Sequence, residues 1–171
     1  NTQLLKPHTG NVLYYPGLKI NILYTQEEHL ADNTNGIIGN YNAASMVMQF
    51  VMDDGTTLLI GSDHPVNGNY DGYNWCKGAL YNWYGSFIES YVVSTFHHGF
   101  GGGADTTIYN VIKAKLVLWD TDVYRVTSGS LTNNNFNAYF AKADDLSGIS
   151  TYTAKNSSVI VLHFANGAAV P

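Results

Sequence analysis

The chain opens with two β-like runs. NVLYYPG (11–17) and LKINILYT (18–25) are rich in β-branched and aromatic residues, and Pro16-Gly17 between them marks a turn. A polar stretch, EEHLADNTNGIIGNYN (27–42), predicts a loop. SMVMQFVM (45–52) and TTLLIGS (56–62) then flank Asp53-Asp54-Gly55, and Asp-Gly between apolar runs is a strong hairpin signal. Pro65 stops the second arm, because it has no N–H to give to a ladder. KGALYNWYGSFIES (77–90) carries Leu80, Trp83, Tyr84, Phe87 and Ile88 at helical spacing, which predicts a helix with these five on one face. YVVSTF (91–96) reads as a short buried strand. TTIYNVIKA (106–114) reads as a helix capped by Asp105 or Thr106, and KLVLWD (115–120) as another strand. TNNNFNAYFAKAD (132–144) predicts a further helix, and GISTYT (148–153) and SSVIVLHF (157–164) predict closing strands. Strands alternate with helices from 56 to 153, behind an antiparallel hairpin. The predicted class is α/β, a mixed β-sheet with flanking helices in one domain spanning 1–171.

Composition changes this picture in one respect. Charged residues are 12% of the chain, about half the usual share, so the polar surface must be built from Asn, Gly, Ser, Thr and the 13 tyrosines. Such a surface leans toward an extracellular or cell-surface bacterial protein. The eight Lys and Arg are scattered and the net charge is -5, which argues against a nucleic-acid footprint. The single cysteine, Cys76, leaves no internal disulfide. Apolar runs are far shorter than a membrane span. Residues 1–10 carry neither the basic start nor the apolar stretch of a signal peptide, and a chain beginning at Asn1 reads as a processed product or a piece of a longer one.

The candidate chemistry sits at strand ends. Asp63 follows the apolar arm TTLLIGS, and His97 and His98 follow YVVSTF inside STFHHGFGGGAD (94–105). Functional groups of α/β sheets gather beyond the carboxyl ends of strands, and a carboxylate with imidazoles is ligand material for zinc or another divalent ion. Glycines 101–103 let the backbone turn tightly beside the histidines. For Asp63 a turn-capping role stands beside the ligand role.

These residues belong to a longer pattern. INILYT, NAAS (42–45), MVMQFVMDDGTTLLIGSD, VVSTFHHGFGGG and DTTIYNVIKAKLVLW follow in order, with a last strand near STYT. Over residues 18–153 this resembles the C-terminal half of a metallo-β-lactamase-fold hydrolase, in the branch of the DNA-uptake competence hydrolases and phosphorylcholine esterases. The resemblance implies one half of an αββα sandwich. It implies that Asp63 bridges two metals, usually zinc, that His97 is the last metal histidine, and that His98 contacts substrate or supports the ligands. The family's His-x-His-x-Asp-His string is absent from the sequence. Its N-terminal half is therefore expected on a missing segment or a separate chain, and the partner is that half or a second copy covering an exposed sheet face.

The expected activity is metal-dependent hydrolysis of a phosphodiester or phosphoester, with Asp63 and His98 at the reacting centre and Asp63, His97 and His98 toward the metal. Two alternatives stand beside it. One is a catalytically inactive relative used as a binding or structural module. The other is an extracellular glycan- or protein-binding domain, suggested by NGNYDGYNW (67–75), whose aromatics would line a rim. The remaining histidines read as structural. His64 reads as an exposed loop residue, His8 as a mobile end, His29 with Glu27 and Glu28 as a solvated loop, and His163 as a half-buried strand residue.

Overall fold

The computed structural model describes residues 5–25, 45–66, 79–99, 106–119, 150–153, 163–165 and 168–170. Among them, a mixed sheet of seven strands runs in the order of the chain. β1 (Val12–Tyr15), β2 (Leu18–Tyr24), β3 (Val47–Met52) and β4 (Thr57–Ile60) form an antiparallel meander. β5 (Val92–Ser94), β6 (Leu116–Trp119) and β7 (Ser150–Thr153) then add in parallel. Two crossovers include helices. The first contains α1 (Ala79–Tyr84) and a 3-10 turn (Gly85–Ile88); the second contains α2 (Thr106–Ile112). The mixed α/β class follows. β8 (His163–Ala165) and β9 (Ala168–Val170) form a separate hairpin, and β9 has no counterpart in the sequence reading. Of the predicted strand over 157–164, residues 163 and 164 lie in β8 and 157–162 are outside the described residues, as is the predicted helix over 132–144.

The pleat sorts side chains cleanly. Asn21 pairs with Gln49, Gln49 with Leu59, Leu59 with Val93 and Val93 with Val117, so these share one face. That face is the core. Leu23, Val47, Leu59, Val93 and Val117 cluster with Leu80 and Ile88 of the first crossover and with Ile108, Tyr109 and Ile112 of α2. The register slips between Ile22 and Tyr24, so Leu23 and Tyr24 together oppose Val47. This bulge turns both side chains toward the helices, and both are buried. On the opposite face lie Leu18, Ile20, Ile22, Met48, Phe50, Met52, Leu58, Ile60, Val92, Leu116 and Leu118. Ile22, Val92 and Leu116 there are buried and the others partly exposed.

A polar network ties the sheet to the first crossover. Asn21 Nδ2 donates to Gln49 Oε1 at 2.9 Å. Gln49 Nε2 reaches the carbonyl oxygens of Phe87 at 3.1 Å and Glu89 at 3.2 Å, and Ser90 Oγ at 3.2 Å. Asn21, Gln49 and Ser90 are all buried, and buried polar groups persist only when bonded in this way.

The first crossover corrects one expectation. Leu80 and Ile88 are buried, but Trp83 and Phe87 are half exposed, at 52% and 53%. Gly85 sits at φ +50, in the left-handed region, and ends the α-helix after Tyr84. The following turn is 3-10, with 3.0 residues per turn instead of 3.6, so the five residues spaced for one α-helical face do not share it. Among the described residues no helix is long and apolar enough to cross a membrane.

Candidate functional site

β4 and β5 are adjacent and parallel, so their carboxyl ends open on the same edge of the sheet. The chain leaves β4 through Gly61, Ser62 and Asp63, and leaves β5 through Thr95, Phe96, His97 and His98. Asp63 Oδ1 lies 3.0 Å from His98 Nε2, with both side chains a little over 40% exposed. The two strand ends predicted to carry the chemistry do converge, and the imidazole that meets the carboxylate is that of His98.

Three further contacts anchor the segment after β5, and the first of them ties it to the segment after β4. The His97 N–H donates to the Ser62 carbonyl at 2.7 Å. The Phe96 N–H donates to Tyr109 Oη at 3.1 Å, and the Thr95 N–H to the Leu118 carbonyl at 3.0 Å. The Phe96 ring is fully buried and lies against Gly61, where a Cβ would fall 2.3 Å from Cδ1. Glycine is required there by the close approach of the ring.

The backbone at this edge is strained. Ser62 (φ 48), His97 (φ 46) and His98 (φ 52) all adopt left-handed conformations. Among the described residues only Lys113 shares this among non-glycines. Left-handed geometry costs about 1–2 kcal/mol for such residues, so neighbouring contacts must impose it. Strain of this kind concentrates at sites with a task.

His97 is half-buried, and its imidazole pKa is held below the ordinary 6.5. Burial is the main cause; the Asp63 charge opposes it and the neighbouring His98 adds to it. Between 6.5 and the lower native value, the unfolded chain takes up a proton that the native imidazole refuses. The neutral imidazole therefore imposes no proton-linked penalty above 6.5, and stability is lost as pH falls below that value. Relative to His97→Asn, which does not titrate and tolerates a left-handed backbone, the wild type should lose stability on going from about pH 7.5 to about pH 5. Urea unfolding at the two pH values checks this, and an unchanged difference would refute it.

His64 corrects another expectation. Its ring is fully buried, not exposed, and stacks at a tilt on Tyr24 with centroids 4.2 Å apart. The backbone N–H of His64 donates to the Gly61 carbonyl at 3.2 Å, folding the chain after Asp63 back beneath the end of β2, where Pro65 and Val66 are also buried. Glu27, Glu28 and His29, the aromatics of 67–75 and glycines 101–103 lie outside the described residues. Phe96 and Tyr109 carry no mark of a site in the sequence, and Gly61 is marked there only as the glycine of the Gly-x-Asp end of the hairpin. The available signals were a glycine two residues before Asp63 and an aromatic directly before His97.

Two ligands about 2.0–2.1 Å from one tetrahedral zinc stand about 3.3 Å apart. The Asp63–His98 spacing of 3.0 Å is close to this, so the pair fits two corners of such a site. It does not make a whole one: among the described residues no group of three or more His, Cys, Asp or Glu side chains is arranged to hold a metal ion. No family model, no curated protein and no solved structure matches the chain.

Proposed function

We propose that the chain is the C-terminal part of a metal-dependent hydrolase of the metallo-β-lactamase superfamily, acting on a phosphodiester or phosphoester. The observation that carries this reading is the meeting of Asp63 and His98 at the carboxyl ends of parallel strands β4 and β5. The meander β2–β4, the crossover, the histidine turn and a second helix–strand pair, in that order, also support it. Asp63 and His98 would hold zinc, with His97 beside them, and the remaining ligands would come from the N-terminal half of the sandwich. A bound zinc supplies Lewis acidity and a water activated near neutral pH. The chain's own part is to orient. Asp63 fixes the His98 imidazole through Nε2, and the Ser62–His97 bond holds the two turns at one spacing.

Zinc titration of the chain by calorimetry, together with hydrolysis of bis(p-nitrophenyl) phosphate by the chain joined to its N-terminal half, tests the reading. Asp63→Ala and His98→Ala should each lower zinc affinity by about tenfold or more and abolish turnover. Zinc uptake unaffected by either substitution would refute it. An inactive relative is the second reading, favoured by a donor set of two among the described residues. It is the outcome if the joined protein binds no zinc and hydrolyses nothing.

A further inference from the structure

We propose that Tyr109 is the positioning residue of the histidine turn, and that its hydroxyl, reaching across from α2, sets the conformation in which His98 meets Asp63. Three successive amides leave β5 and each is taken by a different element. Thr95 N–H goes to the Leu118 carbonyl of β6, Phe96 N–H to Tyr109 Oη, and His97 N–H to the Ser62 carbonyl beyond β4. The chain becomes left-handed at the very next φ angles, His97 and His98. Such angles persist only where the surroundings over-determine them. Of the three anchors, two are backbone carbonyls and one is a side chain.

Tyr109 is suited to the role. It is 1% exposed, so its position is fixed by the core, where it packs among Ile108, Ile112 and Val117. Its ring meets Phe96 edge-on, with centroids 6.1 Å apart at 72°. Phe96 in turn lies against Gly61, so the same tyrosine presses on both turns of the site: through its ring on the Gly61 side, and through its hydroxyl on the histidine side. Phenylalanine at 109 would preserve the first and delete the second.

The test is Tyr109→Phe in the 171-residue chain, read by amide hydrogen exchange and by the imidazole nitrogen resonances of His97 and His98. The Phe96 amide should exchange about tenfold faster, since a buried donor loses its acceptor. The His98 Nε2 resonance should move away from its hydrogen-bonded position, while Leu13 and Ile20 in the β1–β2 hairpin keep their protection. Unchanged His98 and Phe96 signals would overturn the proposal. So would an equal loss of protection across hairpin and site, which marks a merely structural residue. If the variant does not fold, exchange in the wild type decides: a Phe96 amide as protected as that of His97 supports the proposal, and a freely exchanging one overturns it. No metal enters the measurement, so its failure is separate from any failure to bind zinc.

Discussion

One methyl group added at position 61 is expected to lower stability by about 2–3 kcal/mol and to separate the two turns of the site. The cause is local. An alanine Cβ at 61 would fall 2.3, 2.5 and 2.6 Å from Cδ1, Cε1 and Cγ of Phe96, distances that real Cβ contacts do not show. Phe96 cannot step aside, because its ring is fully buried in the main core cluster and its N–H is held by Tyr109. Either the ring leaves its rotamer or Gly61 leaves the end of β4, and Asp63 goes with it. For a chain of this size the loss corresponds to a midpoint lower by about 4–12 °C. A double-mutant cycle with Phe96→Ala supplies the check. Phe96→Ala alone should cost about 3–5 kcal/mol through the cavity it leaves. In that background Gly61→Ala should be close to neutral, with a coupling of more than about 1 kcal/mol. Additive losses would show that the ring is not what forbids the methyl.

Gln49→Leu is expected to cost about 3 kcal/mol, although leucine is of similar volume and better suited to an apolar core. Gln49 is 3% exposed; its Oε1 accepts from the Asn21 amide, and the two hydrogens of its Nε2 are shared among the carbonyls of Phe87 and Glu89 and Ser90 Oγ. Removing one member of a buried network strands the others, and the desolvation penalty of each stranded group is then felt in full. The Asn21→Leu/Gln49→Leu pair should recover part of the loss, because it removes both the Asn21 amide and its acceptor. Urea unfolding reads both values. A loss under about 1 kcal/mol for the single substitution would mean that water replaces the glutamine amide.

The strands of the meander, β1 to β4, were legible in the sequence because they are short apolar or alternating runs separated by Pro-Gly or Asp-Gly or ended by Gly, signals that act within a few residues. The 3-10 break at Gly85 was not, since the apolar spacing around it fits an uninterrupted helix and only the φ of +50 reveals otherwise. Asp63 and His98 stood out because the ends of apolar runs are visible in one dimension. Which histidine would face the carboxylate was not visible, because two left-handed residues in a row invert the directions that an extended chain would give. His64 was misplaced for a related reason. A polar residue before proline reads as exposed, and only the packing of Tyr24 over it, from a strand far along the chain, makes it interior. The Gly61–Phe96 contact likewise joins residues with no local mark of each other.

The change from antiparallel to parallel pairing at β4 has a kinetic consequence. β1 meets β2, and β3 meets β4, across turns of a few residues, so these hairpins close at little entropic expense. β5 can join β4 only after the chain from Ser62 to Tyr91 has crossed over the sheet, and pairings of that sequence separation form slowly. Asp63 is thus carried on a ladder that zips early, while its imidazole partner arrives with the slow crossover. Refolding from urea should restore the hairpin amides before it restores the His98 signal.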